Sequence, residues 1–179
     1  GTPLLNHDTP RRLETLSCYC CPPSVARTIA KSAWWAYGVS EDTVWVNLYG
    51  ASELNTTLPD GATVELTQTT GYPWDGAIAI RIAEAPDRPL TLRMRVPGWA
   101  DRASLTVNGQ VIDVKQKPGT YAEVKRSWAP GDTVNLALSM VPVLVEANPL
   151  VESAWGQVAT MRGPLVYCAA SMDLPQGVA

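Results

Sequence analysis

Leu90-Thr91-Leu92-Arg93-Met94-Arg95-Val96 carries apolar side chains at every second position, with Arg93 and Arg95 between them. A period of two is the signature of a half-buried strand, since successive side chains point to opposite faces. The same period extends in both directions. Upstream, Val44, Val46 and Leu48 alternate with Trp45, Asn47 and Tyr49, and Val64 and Leu66 with Glu65 and Thr67, while Ile78, Ile80 and Ile82 share one face. Downstream, Leu105-Thr106-Val107 is expected to meet Val111-Ile112 through Asn108-Gly109, the strongest short-range hairpin signal. Further runs cover 121–125, 133–138, 141–145, 158–161 and 165–168. Turn signals separate them at Pro59-Asp60-Gly61, Pro73-Trp74-Asp75-Gly76, Pro118-Gly119 and Pro130-Gly131-Asp132. About ten short strands with such separators predict a mainly β chain, an antiparallel β-sandwich. Ile78, Ile80, Leu92, Met94, Leu136 and Leu138 are expected to point into its core, because residues two apart share a face.

Before residue 40 the period differs. Val25, Ile29, Ala33 and Ala36 recur at helical spacing, with Trp34 and Tyr37 alongside, which predicts one helix from Pro23 to Tyr37. Proline is tolerated in a first turn, where its missing N–H is no loss, and Gly38 is the expected C-cap. A lone helix cannot bury both its faces against a sandwich. It therefore reads as the last helix of something larger, and the chain divides into residues 1–40 and 41–179.

The 179 residues are 46% apolar and 17% charged, with a formal net charge of −3. That length can bury a core without covalent staples. No basic stripe points to nucleic acid. No apolar run approaches the roughly 20 residues of a membrane span. The opening residues lack both an initiator Met and the apolar core of a signal peptide, so the start reads as a boundary within a longer protein.

Three of the four cysteines, Cys18, Cys20 and Cys21, fall in one short stretch, and Cys168 stands far away. A disulfide framework spreads its cysteines more widely, and adjacent cysteines rarely bond each other. A clustered trio suits metal binding or catalysis in a reducing compartment, here the cytoplasm. Cys20 and Cys21 precede the expected helix start, where the helix dipole favours negative charge. A thiolate is both the nucleophile and the metal ligand. Chemistry alone leaves three readings open: incidental thiols, a structural zinc knuckle or a catalytic thiolate. Structural zinc takes four protein ligands, so at least one ligand must come from elsewhere.

Cys20-Cys21-Pro22-Pro23-Ser24-Val25-Ala26-Arg27 resembles the Cys-Cys-Pro-Pro-Asn-x-x-Arg signature of the β-L-arabinofuranosidases of glycoside hydrolase family 127. Val46-Asn47-Leu48-Tyr49, Tyr72-Pro73-Trp74-Asp75-Gly76, Arg95-Val96-Pro97-Gly98-Trp99, Val107-Asn108-Gly109, Trp128-Ala129-Pro130-Gly131-Asp132 and Arg162-Gly163-Pro164-Leu165-Val166-Tyr167 resemble later landmarks of that family, in order. The resemblance implies an (α/α)6-barrel catalytic domain that ends with residues 1–40, followed by β-sandwich domains. It implies zinc held by three cysteines and a glutamate, with Cys20 as nucleophile and both Cys20 and Cys21 on the metal. The implied reaction is retaining hydrolysis of β-L-arabinofuranosyl or related glycosides, with sulfur in place of the usual carboxylate. The zinc glutamate, the third zinc cysteine and the acid/base glutamate would lie upstream, in a barrel domain or partner chain. Ser24 departs from the family's Asn, although its hydroxyl can still cap a helix. Cys18 reads as a neighbour of the site, and Glu14 is the one nearby carboxylate.

Other residues have plainer readings. His7, the one histidine, sits in a polar segment and reads as surface. Most of the seven tryptophans are expected to pack, with Trp74 and Trp99 the first candidates for stacking on sugar. Arg27 suits a carboxylate or a helix end, Cys168 a buried inert thiol, and Asp75 and Asp132 turn positions. The alternative to a hydrolase is a non-catalytic β-sandwich, structural or carbohydrate-binding.

Overall fold

The computed structural model describes residues 20–113 and 117–168; His7, Glu14 and Cys18 lie outside the described residues. Contacts group the described residues into two units, one from Trp34 to Tyr167 and one holding residues 20–33 with Cys168. The chain is mainly β, and one α-helix, α1 (Cys21–Ala36), precedes the strands.

Helix α1 starts two residues earlier than Pro23 and ends one before Tyr37. Pro22 and Pro23 occupy its first turn, where N–H groups have no helical partner. Gly38 does not cap it. Tyr37–Val39 forms strand β1, with Gly38 opposite Trp45 of β2 (Thr43–Val46). The Ala36 carbonyl instead accepts the N–H groups of Asn47 and Leu48, at 2.8 and 3.3 Å. The segment that follows β2 thus supplies donors that a left-handed glycine would otherwise bring in. No residue of the helix is buried.

Two sheets enclose one core. The first has the order β1-β2-β6-β9, where β6 is Leu90–Arg95 and β9 is Tyr121–Arg126. The second has the order β3-β4-β5-β10-β7-β8, built from β3 (Ser52–Thr57), β4 (Thr63–Thr70), β5 (Ala77–Glu84), β7 (Ala103–Val107), β8 (Gln110–Val111) and β10 (Thr133–Leu138). Their inward residues form a single cluster. Ile78, Ile80, Leu92, Met94, Leu136 and Leu138 are all buried in it, as the alternation predicts.

Four details differ from the sequence reading. The pairing is antiparallel except between β2 and β6, which run parallel with Val44 opposite Leu92. Parallel neighbours need a long crossover, and β3, β4 and β5 supply it through the other sheet. The alternation that starts at Val44 stops at Val46: Leu48 is exposed, and Tyr49 packs against the core. Strand β3 was not foreseen, because Ser-Glu-Leu-Asn-Thr-Thr has a single apolar residue; it is an edge strand held by its ladder to β4. The last strands do not join the sandwich. β11 (Pro142–Glu146), β12 (Val158–Arg162) and β13 (Leu165–Tyr167) make a separate three-stranded sheet with no buried residue in any strand.

The turns are fixed by side chains. Asn108 (φ 51°) and Gly109 (φ 80°) make the β7–β8 hairpin, both in the left-handed region that a type I′ turn requires. Asn108 Oδ1 accepts the Thr133 N–H (2.8 Å), and its Nδ2 donates to Asp132 Oδ1 (2.7 Å). Asp132 Oδ2 accepts the Ala129 N–H (3.0 Å). These bonds hold the Asp132 carboxyl below the usual carboxylate range, the Ala129 amide first and Asn108 second. Asp75 plays a similar part, its Oδ1 accepting the Ala77 N–H at 2.9 Å. Both aspartates are turn residues, as expected.

Candidate active site

The thiol pair stands at the start of α1. Cys21 is the first helical residue, and Cys20 immediately precedes it, its carbonyl accepting the Ser24 N–H at 3.2 Å. Cys20 thus holds the cap position, and Ser24 lies inside the first turn, past the point where its hydroxyl would cap. The two sulfurs are 3.5 Å apart and both are exposed. This spacing fits two ligands on one zinc: with Zn–S bonds of about 2.3 Å, the edge of a tetrahedral site is roughly 3.8 Å. The residues present supply half of a four-ligand site. Among the described residues no three His, Cys, Asp or Glu side chains are grouped so as to hold a metal ion.

Cys168 does not behave as a buried thiol. It follows β13 directly and is exposed. The alternation that suggested burial is real, but it belongs to a sheet whose strands bury nothing. Arg27 is exposed on α1.

The two tryptophans singled out for sugar stacking part company. Trp99 is half-buried against the core, its ring 6.5 Å from that of Tyr72 and stacked on it, with Tyr49 edge-on to Tyr72 at 5.7 Å. It is packing. Trp74 is 71% exposed. Its backbone is held on both sides, the N–H donating to the Gly71 carbonyl (2.9 Å) and the carbonyl accepting from Arg162 Nη1 (2.8 Å). Gly76, two residues on, packs so closely that a Cβ would lie 2.1 Å from the Leu138 carbonyl oxygen. The chain therefore holds an exposed indole on a rigid turn.

Sequence reasoning missed the polar residues of the interior, which among the described residues are Thr43, Gln68 and Thr91. Gln68 is 1% exposed, and its Nε2 reaches the Gly50 carbonyl (2.9 Å), Tyr37 Oη (3.2 Å) and Ser52 Oγ (3.2 Å). The signal was present: Gln68 extends the Val64, Leu66 alternation by one step.

Comparison with known proteins bears on the chain as a whole. Residues 43–140 match the profile described as the β-L-arabinofuranosidase, GH127 middle domain, and residues 142–179 match the glycoside hydrolase family 127 C-terminal domain. The boundary between the matches falls just before β11, where the separate sheet begins. A non-reducing end β-L-arabinofuranosidase of Bifidobacterium longum subsp. longum is 35% identical over 176 residues, which are 95% of this chain and 26% of that protein. Among solved structures, a protein titled glycoside hydrolase superposes with a TM-score of 0.84 at 40% identity, covering 97% of this chain and 30% of its own. A GH127 β-L-arabinofuranosidase from Geobacillus stearothermophilus follows at 0.80 and 38%, covering 89% of this chain and 25% of its own. The chain thus spans about a quarter of the curated relative it matches. With the middle-domain match covering more than half of the sequence, this chain belongs to glycoside hydrolase family 127.

Proposed function

We propose that this chain is the C-terminal portion of a retaining glycoside hydrolase acting on β-L-arabinofuranosyl or related glycosides, with Cys20 as nucleophile. The observation that carries the reading is the exposed Cys20–Cys21 pair, its sulfurs 3.5 Å apart at a helix start, in a chain of this family. The Cys20 thiolate attacks the anomeric carbon and holds the sugar as a thioglycoside while an upstream glutamic acid protonates the departing oxygen. Water, deprotonated by that same group, then releases the sugar with its configuration retained. Cys20 and Cys21 would hold zinc, together with a cysteine and a glutamate from an upstream helical barrel. When bound, the metal keeps Cys20 as thiolate. The helix start contributes in the same direction, since its positive end favours the anionic sulfur. Residues 1–40 are, on this reading, the end of that barrel, and α1 its last helix, which accounts for Val25, Ile29, Trp34 and Trp35 all being exposed. The expected partners are therefore carbohydrate and the upstream domain, with neither nucleic acid nor membrane. Among the described residues no helix is long and apolar enough to cross a membrane. An exposed thiol pair suits the reducing cytoplasm.

The test uses the protein extended upstream through the barrel. Hydrolysis of a chromogenic β-L-arabinofuranoside is expected, with Cys20→Ser lowering kcat by roughly a thousandfold or more. A slow substrate should leave its sugar on the Cys20 peptide, seen by mass spectrometry. Sugar attached to any other residue, or full turnover by Cys20→Ser, would remove Cys20 from the reaction. The 179-residue chain alone is expected to be inert, since the acid must stand about 5–5.5 Å from the nucleophile and its glutamate lies upstream.

A second reading, that of a carbohydrate-binding module, rests on Trp74, the exposed indole on a rigid turn. Arabino-oligosaccharides would then quench its fluorescence, and Trp74→Ala would abolish the quench.

A further inference from the structure

We propose that Asn108 is a deamidation site that the folded hairpin holds inert, and whose reaction, once it occurs, keeps the turn from closing again. Asn108-Gly109 is the one Asn-Gly pair in the sequence. Glycine has no side chain to shield its backbone nitrogen, so the Gly109 nitrogen can attack the side-chain amide carbon of Asn108. That bond forms as the carbon–nitrogen bond of the amide breaks, and ammonia leaves with the proton from Gly109. The cyclic imide then takes up one water and opens to aspartate or isoaspartate. The net reaction is a hydrolysis and needs neither oxidant nor cofactor.

The contacts of that amide all oppose the attack. Asn108 Oδ1 accepts the Thr133 N–H at 2.8 Å, and Nδ2 donates to Asp132 Oδ1 at 2.7 Å. The Asn108 N–H donates to the Thr133 carbonyl at 2.9 Å. Both ends of the side-chain amide are thus tied to the turn before β10 and not free to swing onto Gly109. Attack requires both bonds to break, so the reaction proceeds from the opened turn. The product then blocks reclosure. Where Nδ2 donated, a carboxylate oxygen now faces Asp132 Oδ1, and two carboxylates at that distance disfavour each other's charge. The charged groups around the turn are Asp132, Arg126, 3.8 Å from Asp132 Oδ2, and Arg81, opposite Thr133 on β5. Neither arginine supplies the lost hydrogen bond between the two side chains. Isoaspartate adds a backbone carbon to a two-residue turn that already needs φ of 51° and 80°, which upsets the pairing of Val107 with Gln110. A lasting opening of the hairpin is therefore recorded permanently. These contacts lie within the sandwich, and the inference stands apart from the proposed nucleophile.

The test incubates the chain at mildly alkaline pH, folded and in concentrated urea, and follows Asn108 by peptide mass and ammonia release. Conversion is expected to be at least roughly tenfold slower in the folded chain, where the turn is closed most of the time. Asp132→Ala removes one of the two side-chain bonds and should raise the folded-chain rate several-fold, with amide exchange in β5 and β6 unchanged. Asn108→Asp stands for the aspartate product. It should melt below wild type at neutral pH, and the gap should narrow on acidification as a protonated carboxyl again donates across the turn. Equal rates with and without urea would overturn the proposal, as would an Asp132→Ala rate no higher than wild type. A rise matched by faster exchange in the core would assign the reaction to global unfolding and overturn it too. An Asn108→Asp chain as stable as wild type at neutral pH would show that the product turn recloses, which the proposal forbids.

Discussion

Gln68 fixes the segment that follows β2. Its Nε2 donates to the Gly50 carbonyl and reaches the Tyr37 and Ser52 hydroxyls, while its Oε1 is buried with no hydrogen-bond partner among the described residues. Tyr37 Oη and Ser52 Oγ bond each other at 2.9 Å, and burial raises the Tyr37 phenol above its ordinary range. Gln68→Ala removes the donor and opens a cavity, so we expect a loss of about 2–4 kcal/mol in urea unfolding. Gln68→Met keeps the volume and eliminates the unpartnered oxygen, so its loss should be about 1 kcal/mol. Equal losses would mean that the polar network, which both variants remove, carries the whole effect and that shape contributes nothing. The position was legible as inward-facing from its place in the alternation, but its partners were not, because Tyr37, Gly50 and Ser52 come together only through the pairing of strands. Cys168 shows the opposite failure. Its alternating neighbours promised burial, and alternation reports which residues share a face without saying whether anything covers that face.

At the scale of elements, the turns carry the sharpest expectations. The Asp132 carboxylate ties its own turn to the β7–β8 hairpin through Asn108, with the Arg126 guanidinium 3.8 Å away. Its folded pKa is lowered, so the unfolded chain binds the proton more readily. The stabilisation is complete above the unfolded value of about 3.9 and is lost as pH falls through the lower folded value. Asp132→Ala, which removes the bonds to Ala129 and Asn108, should cost about 1–2 kcal/mol at pH 7, and the gap to wild type should narrow as pH falls through the folded value. A gap independent of pH would assign the loss to packing. Because Asn108 shares these bonds, the Asn108→Ala and Asp132→Ala losses should fall short of additivity by about 0.5–1.5 kcal/mol in a double-mutant cycle. Gly76→Ala is expected to cost more than either single change, since the Leu138 carbonyl already occupies the space of a Cβ. Thermal melts would rank the three. Asn108-Gly109 was legible because its φ demand is local. Gly76 was visible only as a turn residue, because its constraint comes from a strand about sixty residues away.

For the whole molecule, burial divides the chain sharply. Strands β4, β5, β6 and β10 hold most of the core, whereas β11–β13 bury no residue. Amide exchange in the 179-residue chain should be slowest in β5, β6 and β10 and faster by orders of magnitude in β11–β13. Uniform protection would show that the separate sheet has a cover within this chain. The thiol pair makes a parallel expectation. Two sulfurs are half of a zinc site, so metal analysis after dialysis should find little zinc on the 179-residue chain, and thiol titration should find its cysteines reactive. One tightly held zinc, lost on Cys18→Ser, would show a self-sufficient closed site and would count against Cys20 as nucleophile.

The sequence by itself determined the class of fold, the α-helix ahead of the strands, the inward set around Ile80 and Leu92, the hairpin at Asn108-Gly109, and the thiol pair with its family. Each of these is written in local periods, turn residues or a short motif, which the chain carries before it folds. Only the tertiary structure decided that β2 and β6 run parallel, that Ser52–Thr57 is a strand, that Gly38 pairs with Trp45, and that Cys168 is exposed. Strand direction leaves no mark on an alternating pattern. A polar edge strand takes its shape from the neighbour whose backbone it satisfies. The fate of a helix end or a lone thiol depends on which distant residues arrive beside it.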